Sequence, residues 1–139
     1  MRSKSAIVDT SVLVSAFLNV GPTGQVLDRA RDGGCQLCVS ERILEETRRA
    51  LLKPKTLRAY GYAEEAAERF CASLRAVSVV ATDLPAIEPV SRDPDDDHVL
   101  AAALAVEADC IVTGDADLLS LGSYEDIRIL NVRTFLEEL

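Results

Sequence analysis

Acidic residues stand where this chain stops being apolar. Asp9 closes the run Ala6-Ile7-Val8, Asp115 and Asp117 follow Cys110-Ile111-Val112-Thr113-Gly114, and Asp96 and Asp97 open an alanine-rich stretch. Glu46 lies on a further segment of helical periodicity. In an open parallel α/β sheet the carboxyl ends of the strands face one crevice, so acids that follow buried strands converge there. Converging carboxylates repel one another and remain ionised together at neutral pH only with positive charge among them, for which a hard divalent cation is the usual solution. The pattern points to a metal site before it points to a reaction.

Each acid also has a structural explanation. Asp9 could accept hydrogen bonds from the turn after it, Asp96 and Asp97 could be helix caps, and Glu46 could be a solvated helix residue. For Asp9 the balance shifts, because a charge that completes a buried strand must be paired or metal-bound to offset its desolvation. The segment Asp93-Pro94-Asp95-Asp96-Asp97 carries more negative charge than capping needs, and an Asx turn explains one of Asp115 and Asp117 but not both.

The elements that must hold these residues follow from periodicity and punctuation. Short buried strands are expected at Ser5 to Asp9, Cys35 to Val39, Val77 to Val80, Cys110 to Thr113 and Ile127 to Asn131. Helices are expected at Val12 to Leu18, at Gln25 to Arg31 before Gly33-Gly34, and from a Ser40 cap through Ile43, Leu44, Thr47, Leu51 and Leu52 to Pro54. A turn over Lys55 to Tyr60, an amphipathic helix over Ala63 to Ala76, a helix from Asp96 or Asp97 to about Val106, and a last one over Thr134 to Leu139 complete the series. The stretches from Thr82 to Asp95 and from Gly114 to Gly122 read as loops. Alternating strands and helices imply right-handed crossovers and a mostly parallel, doubly covered sheet.

With 139 residues, 48% of them hydrophobic, the chain suits one domain spanning 1–139. The N-terminal Met1-Arg2-Ser3-Lys4-Ser5 is basic but leads into too short an apolar run for a secretory signal, and no stretch approaches the roughly 20 apolar residues of a membrane helix. A soluble cytoplasmic protein is expected. The formal charge of -8 and pI near 4.6 argue against a surface built to coat phosphate backbones, although Arg42, Arg48, Arg49, Lys53, Lys55 and Arg58 could form a local basic rim near Glu46. Cys35 and Cys38 form a CxxC, but no second one exists and the chain has a single histidine, so the four cysteines read as buried free thiols. That histidine, His98, reads as an exposed helix residue.

Taken in order, Val8-Asp9-Thr10-Ser11-Val12-Leu13-Val14-Ser15, Ser40 to Leu51 with Glu46, Asp93-Pro94-Asp95-Asp96-Asp97 and Val112-Thr113-Gly114-Asp115-Ala116-Asp117-Leu118-Leu119 resemble the successive motifs of PIN-domain nucleases. The likeness is greatest to the small bacterial and archaeal branch described as toxins of toxin-antitoxin pairs. It implies a three-layer, Rossmann-like α/β sandwich with a five-stranded parallel sheet, Mg²⁺ or Mn²⁺, and cleavage of RNA phosphodiesters. Carried over by position, Asp9, Glu46, Asp96 and Asp115 match the family's acidic quartet as catalytic residues, with Asp117 as a frequent fifth. Glu45 and Asp97 compete with their neighbours Glu46 and Asp96, since adjacent helical residues do not share a face. Ser11 departs from the Asn common in the first motif, and Thr113 fits as a hydroxyl that orients a carboxylate. An antitoxin partner and pairing into a homodimer or higher oligomer are also implied, with the Ala63 to Ala76 helix as a candidate contact.

Phosphodiester hydrolysis needs a nucleophilic water, in-line geometry and charge neutralisation, all of which bound divalent ions supply, in the full version as two ions about 3.5 to 4 Å apart. Asp9 and Asp115 are expected to hold the principal ion, Asp96 to bind it directly or through water, and Glu46 and Asp117 to complete a weaker site, with Thr10, Ser11 and Thr113 behind them as hydrogen-bond donors. Two other readings compete. A HAD-type phosphatase would use Asp9 as nucleophile, but it needs an acid where Ser11 stands and a phosphate-binding lysine, for which Lys53 and Lys55 are the candidates. A non-catalytic PIN-like module binding RNA or protein would have little reason to keep every acid.

Overall fold

The computed structural model of the chain describes residues 3–139; Met1 and Arg2, which begin the basic N-terminal run, lie outside them. The five expected strands form as β1 (Lys4–Val8), β2 (Cys35–Ser40), β3 (Val79–Ala81), β4 (Cys110–Val112) and, last in the chain, β6 (Ile127–Leu130). These five pair in parallel in the order β3-β2-β1-β4-β6. A sixth strand, β5 (Ser123–Tyr124), adds an antiparallel edge against β6. The hairpin between them escapes sequence reading for a local reason: Glu125 and Asp126 both take positive φ, 48° and 69°, the backbone of a two-residue hairpin turn that Asn-Gly would normally announce. Further departures are small: Val77, expected to open the third strand, ends the helix Glu64–Val77, and the turn expected over Lys55 to Tyr60 is a seven-residue helix, Pro54–Tyr60. A four-residue helix, α7 (Ala116–Leu119), occupies part of the loop after Gly114, and the last helix, α8 (Val132–Glu137), begins two residues early because Asn131 caps it, accepting from Thr134 N at 2.8 Å.

The other helices are α1 (Thr10–Phe17), α2 (Gly24–Arg31), α3 (Glu41–Leu51), α4 (Pro54–Tyr60), α5 (Glu64–Val77) and α6 (Asp97–Ala105). Ser40 ends β2 and caps α3 by accepting from Ile43 N at 3.1 Å, so one residue fixes both the strand end and the helix start. Ile43, Leu44, Thr47 and Leu51 are buried along α3, and Thr47 satisfies its hydroxyl on the Ile43 carbonyl at 2.7 Å. In α6, Val99, Leu100, Ala101, Ala102 and Ala103 are all buried, because the helix lies across the sheet against β1, β2, β3 and β4. A run of small alanines is what permits that close approach.

From β1 to β3 the chain winds outward in one direction, and α6 carries it back across the sheet to β4. Right-handed crossovers then put helices on both faces, and the reversal of winding falls between β1 and β4. The core is one continuous cluster that includes Ile7, Val8, Leu13, Val39, Ile43, Leu100, Ile111, Val112, Leu118 and Phe135. Three cysteines, Cys35, Cys38 and Cys110, are buried and Cys71 is half-buried, all free. Burial pushes Cys38 up to about 11 and Cys110 to about 12, so neither offers a thiolate at neutral pH. Among the described residues no helix is long and apolar enough to cross a membrane.

Ile111 is wholly buried in β4 between β1 and β6. Ile111→Ala is expected to cost about 2 to 5 kcal/mol of unfolding free energy, read from the shift of a urea denaturation midpoint.

Candidate metal centre and active site

The reversal between β1 and β4 opens a cleft of about 420 Å³ at the carboxyl ends of both strands. Asp9, Thr10 and Ser11 enter it from the end of β1 and the start of α1, Glu46 from α3, Asp93, Asp95, Asp96, His98 and Val99 from the start of α6 and the turn before it, and Asp115 and Asp117 from the end of β4. Four segments that are far apart in sequence thus meet where the topology places ligand sites in such sheets.

Asp9 is the most enclosed of these acids, with 6% of its surface exposed. Its backbone N–H extends the β1–β4 ladder by donating to the Val112 carbonyl at 3.2 Å, and its side chain caps α1. Oδ1 accepts from Ser11 Oγ at 2.6 Å and from Val12 N at 3.3 Å, and Oδ2 accepts from the hydroxyl of the fully buried Thr113. Burial raises the Asp9 pKa; the hydrogen bonds from Ser11, Thr113 and Val12 oppose that rise, and the nearby Asp115 charge adds to it. Ser11 and Thr113 also tie the two strand ends together, since Gly114 N donates to Ser11 Oγ at 3.2 Å and Thr113 donates across to Asp9, while Asp115 N donates locally to Thr113 Oγ1 at 3.0 Å.

Opposite Asp9, carboxylate oxygens of Asp96, Asp115 and Asp117 lie within 4.8 Å of one another. Asp115 caps α7 by accepting from Asp117 N at 3.2 Å, which sets these two acids on one side of a tight turn. Asp96 is pushed up to about 7, first by desolvation, then by its hydrogen bond with Asp115 and by the charges of Asp115, Asp93 and Asp9. Three half-buried carboxylates with a shared focus and only oxygen donors among them suit a hard divalent cation such as Mg²⁺ or Mn²⁺. Asp9 borders this trio but is not one of the three whose oxygens draw together.

The choice between adjacent acids is decided by hydrogen bonds. Asp97 turns away from the cleft: its Oδ1 accepts from Ser91 N at 2.9 Å and its Oδ2 from Val90 N at 3.1 Å, pinning the end of the preceding loop. Asp93 and Asp95 are turn residues, Asp93 accepting from Asp95 N at 3.0 Å, and both nevertheless line the cleft. Glu45 pairs with Arg49 at 3.1 Å on the exposed face of α3, whereas Glu46 faces inward, where its Oε1 accepts from Thr10 Oγ1 at 3.1 Å and its Oε2 lies 3.5 Å from Arg42.

His98 departs from its expected exposed position. Only 10% of its side chain is accessible, and Nε2 lies 3.3 Å from Glu46 Oε1. As the second residue of α6, His98 lines the cleft and reaches Glu46 on α3, and burial lowers the imidazole pKa against the pull of Glu46. No motif could have announced this, because the contact joins two helices. Half of the expected basic rim is paired with acids: Arg42 is held by Glu46, Arg49 by Glu45, and Arg48 by Glu68 at 2.9 Å. Lys53 and Lys55 do not line the cleft, so the lysine that a HAD-type phosphatase needs is missing from it.

The raised pKa values of Asp9 and Asp96 have a stability consequence. Unfolded, both carboxyls lose their protons near pH 4; folded, they keep them to higher pH, so folding binds protons and the metal-free protein loses stability as pH rises from about 4 to about 7. Asp96→Asn should therefore raise the melting temperature of the metal-free protein by a few degrees at pH 8 and hardly at pH 4.5. Mn²⁺ should stabilise the wild type more at pH 8 than at pH 5. Scanning calorimetry in chelator and in Mn²⁺ checks both, and a variant that follows the wild type under all conditions would contradict the assignment.

The chain resembles the crystal structure of the Mycobacterium tuberculosis toxin VapC20, described as cleaving the sarcin-ricin loop, with a TM-score of 0.55 and 19% sequence identity over 88% of this chain and 98% of that one. At that identity the likeness speaks for the fold. Among proteins of curated function none matches the sequence. The family signature of the PIN domain, however, matches residues 5–117, which include β1 from its second residue, α3, α6, β4 and every acid of the cleft. The chain belongs to the PIN domain family.

Proposed function

We propose that this protein is a Mg²⁺- or Mn²⁺-dependent ribonuclease, the toxin of a toxin-antitoxin pair acting in the cytoplasm. The observation that carries the reading is the convergence of Asp96, Asp115 and Asp117 beside the buried Asp9, at the winding reversal of a PIN domain. RNA as substrate and an antitoxin as partner are supported by the description of the structurally similar VapC20 as a toxin that cleaves the sarcin-ricin loop.

In this reading Asp96, Asp115 and Asp117 would hold the cation, with the buried Asp9 and, as the fifth acid, Glu46 lining the same cleft. When bound, the ion lowers the pKa of an attacking water and neutralises charge on the phosphate. The chain's own residues provide the frame. Ser11, Thr113 and the Val12 N–H hold Asp9 in one orientation, so its carboxylate does not need to reorganise during the reaction. Asp96, desolvated and hydrogen-bonded to Asp115, holds its proton up to about 7 in the metal-free protein and would give it up to positive charge entering the cleft. Thr10 keeps Glu46 directed inward. At the exposed rim Arg42 can leave Glu46 for an RNA phosphate, because a surface ion pair is worth at most about 1 kcal/mol.

Purified protein is expected to cleave single-stranded RNA in Mg²⁺ or Mn²⁺ and to stop in excess EDTA. Asp115→Asn and Asp9→Asn should each lower the rate by more than the roughly 10- to 100-fold typical of losing an outer hydrogen-bond partner of a metal site. Gel analysis of a labelled RNA panel reads this directly. Full Mn²⁺-dependent activity in either variant would refute the site, and RNA binding without cleavage or a metal isotherm would favour the non-catalytic module instead.

A further inference from the structure

His98 is the chain's single histidine, and nothing in the acidic motifs requires it. A partly polar ring buried to this degree costs free energy unless it is hydrogen-bonded, and an apolar side chain would fill the same space without that cost. Its placement is specific. Nε2 lies 3.3 Å from Glu46 Oε1, the oxygen that also accepts from Thr10 Oγ1 at 3.1 Å, while Nδ1 is buried with no hydrogen-bond partner. Facing a carboxylate, Nε2 must carry the proton, and Nδ1 is then a bare lone pair, whose burial costs less than that of an unpaired N–H.

We propose that His98 is a positioning residue for Glu46, donating its Nε2–H to Oε1 so that α6 and the start of α1 together fix this carboxylate at the cleft wall. This rests on Glu46 being a member of the nuclease site. Thr10 donates to Oε1 and His98 Nε2 approaches the same oxygen at 3.3 Å, while among the described residues the partner of Oε2 is the exposed Arg42 at 3.5 Å. The oxygen free to exchange its partner for a cation or a cation-bound water is therefore Oε2. Thr10 alone, a single hydroxyl rotor, would leave Glu46 free to swing out along α3 toward Arg42 and solvent. The role parallels that of outer hydrogen-bond partners at metal sites generally, which orient a ligand without touching the ion.

The test uses tag-free protein, in which the single imidazole gives one set of ring signals. Two-bond ¹H–¹⁵N correlation spectra should show the Nε2–H tautomer in the wild type and its loss or averaging in Glu46→Ala. His98→Leu should lower RNA cleavage about tenfold or more and weaken Mn²⁺ binding measured by electron paramagnetic resonance, with little change in melting temperature. His98→Gln, which can return an N–H near the Nε2 position, should recover most of both. An Nδ1–H tautomer, a ring spectrum indifferent to Glu46→Ala, or equal losses in the Leu and Gln variants would overturn the proposal. The ring spectrum and the Mn²⁺ titration decide the matter even for a wild type that cleaves no RNA, so failure of the positioning role and failure of the nuclease reading give different results.

Discussion

The dominant constraint in this molecule is the free energy of gathering carboxylates at the end of a buried parallel sheet. Asp9, Asp96, Asp115 and Asp117 share one cleft with Glu46, Asp93 and Asp95 on its walls. Without compensation, desolvation and mutual repulsion would drive such a cluster apart or protonate it. Each acid is handled in its own way. Asp9 is saturated by hydroxyl and amide donors, Glu46 is clamped by Thr10, His98 and Arg42, Asp96 retains a proton to about 7, and Asp97 is spent on the backbone of the preceding loop. Among the described residues no lysine or arginine lines the cleft beside the converging trio Asp96, Asp115 and Asp117, and the charge gathered there once Asp96 ionises is what a divalent cation would neutralise.

The fold makes this concentration of charge tolerable by confining it to one edge. Behind the cleft, β1 and β4 are wholly apolar from Ala6 to Val8 and from Cys110 to Val112, and their ladder continues through the Asp9 N–H. The hydroxyls of Ser11 and Thr113 then bind both strand ends across the gap, Ser11 accepting from Gly114 N and Thr113 donating to Asp9. A rigid apolar base with a short polar seam holds the acids in register, and the long crossover through α6 brings Asp96 and His98 over the top. Stability and function are coupled here in the unfavourable sense, because the arrangement that collects charge for a cation weakens the protein when no cation is bound.

Local chemistry was the legible part. The Ser40 cap, the Ile43-Leu44-Thr47-Leu51 stripe and the glycine turn before Asp115 are written within single segments, and the acids that line the cleft stand beside those signals. What could not be read depends on contacts between segments. Asp96 and Asp97 are equivalent in sequence, and only the loop amides of Val90 and Ser91 separate them. His98 looks like a solvated helix residue until α3 is packed beside it. The three arginines of the apparent basic rim that share α3 with Glu46 are taken up in ion pairs with Glu46, Glu45 and Glu68, the last of them on α5. The edge strand β5 was hidden because its turn uses Glu125 and Asp126 where hairpins favour Asn-Gly.

The central claim is that the cleft is built for a divalent ion at the focus of Asp96, Asp115 and Asp117. Anomalous diffraction from crystals of the protein grown with Mn²⁺ tests it most directly. The account predicts an anomalous peak at coordination distance, roughly 2.0 to 2.2 Å, from oxygens of these three carboxylates, with Asp9 beside it. A cleft with no peak, or Mn²⁺ bound instead among the acids of the α3–α5 surface such as Glu41, Glu45 and Glu68, would contradict it.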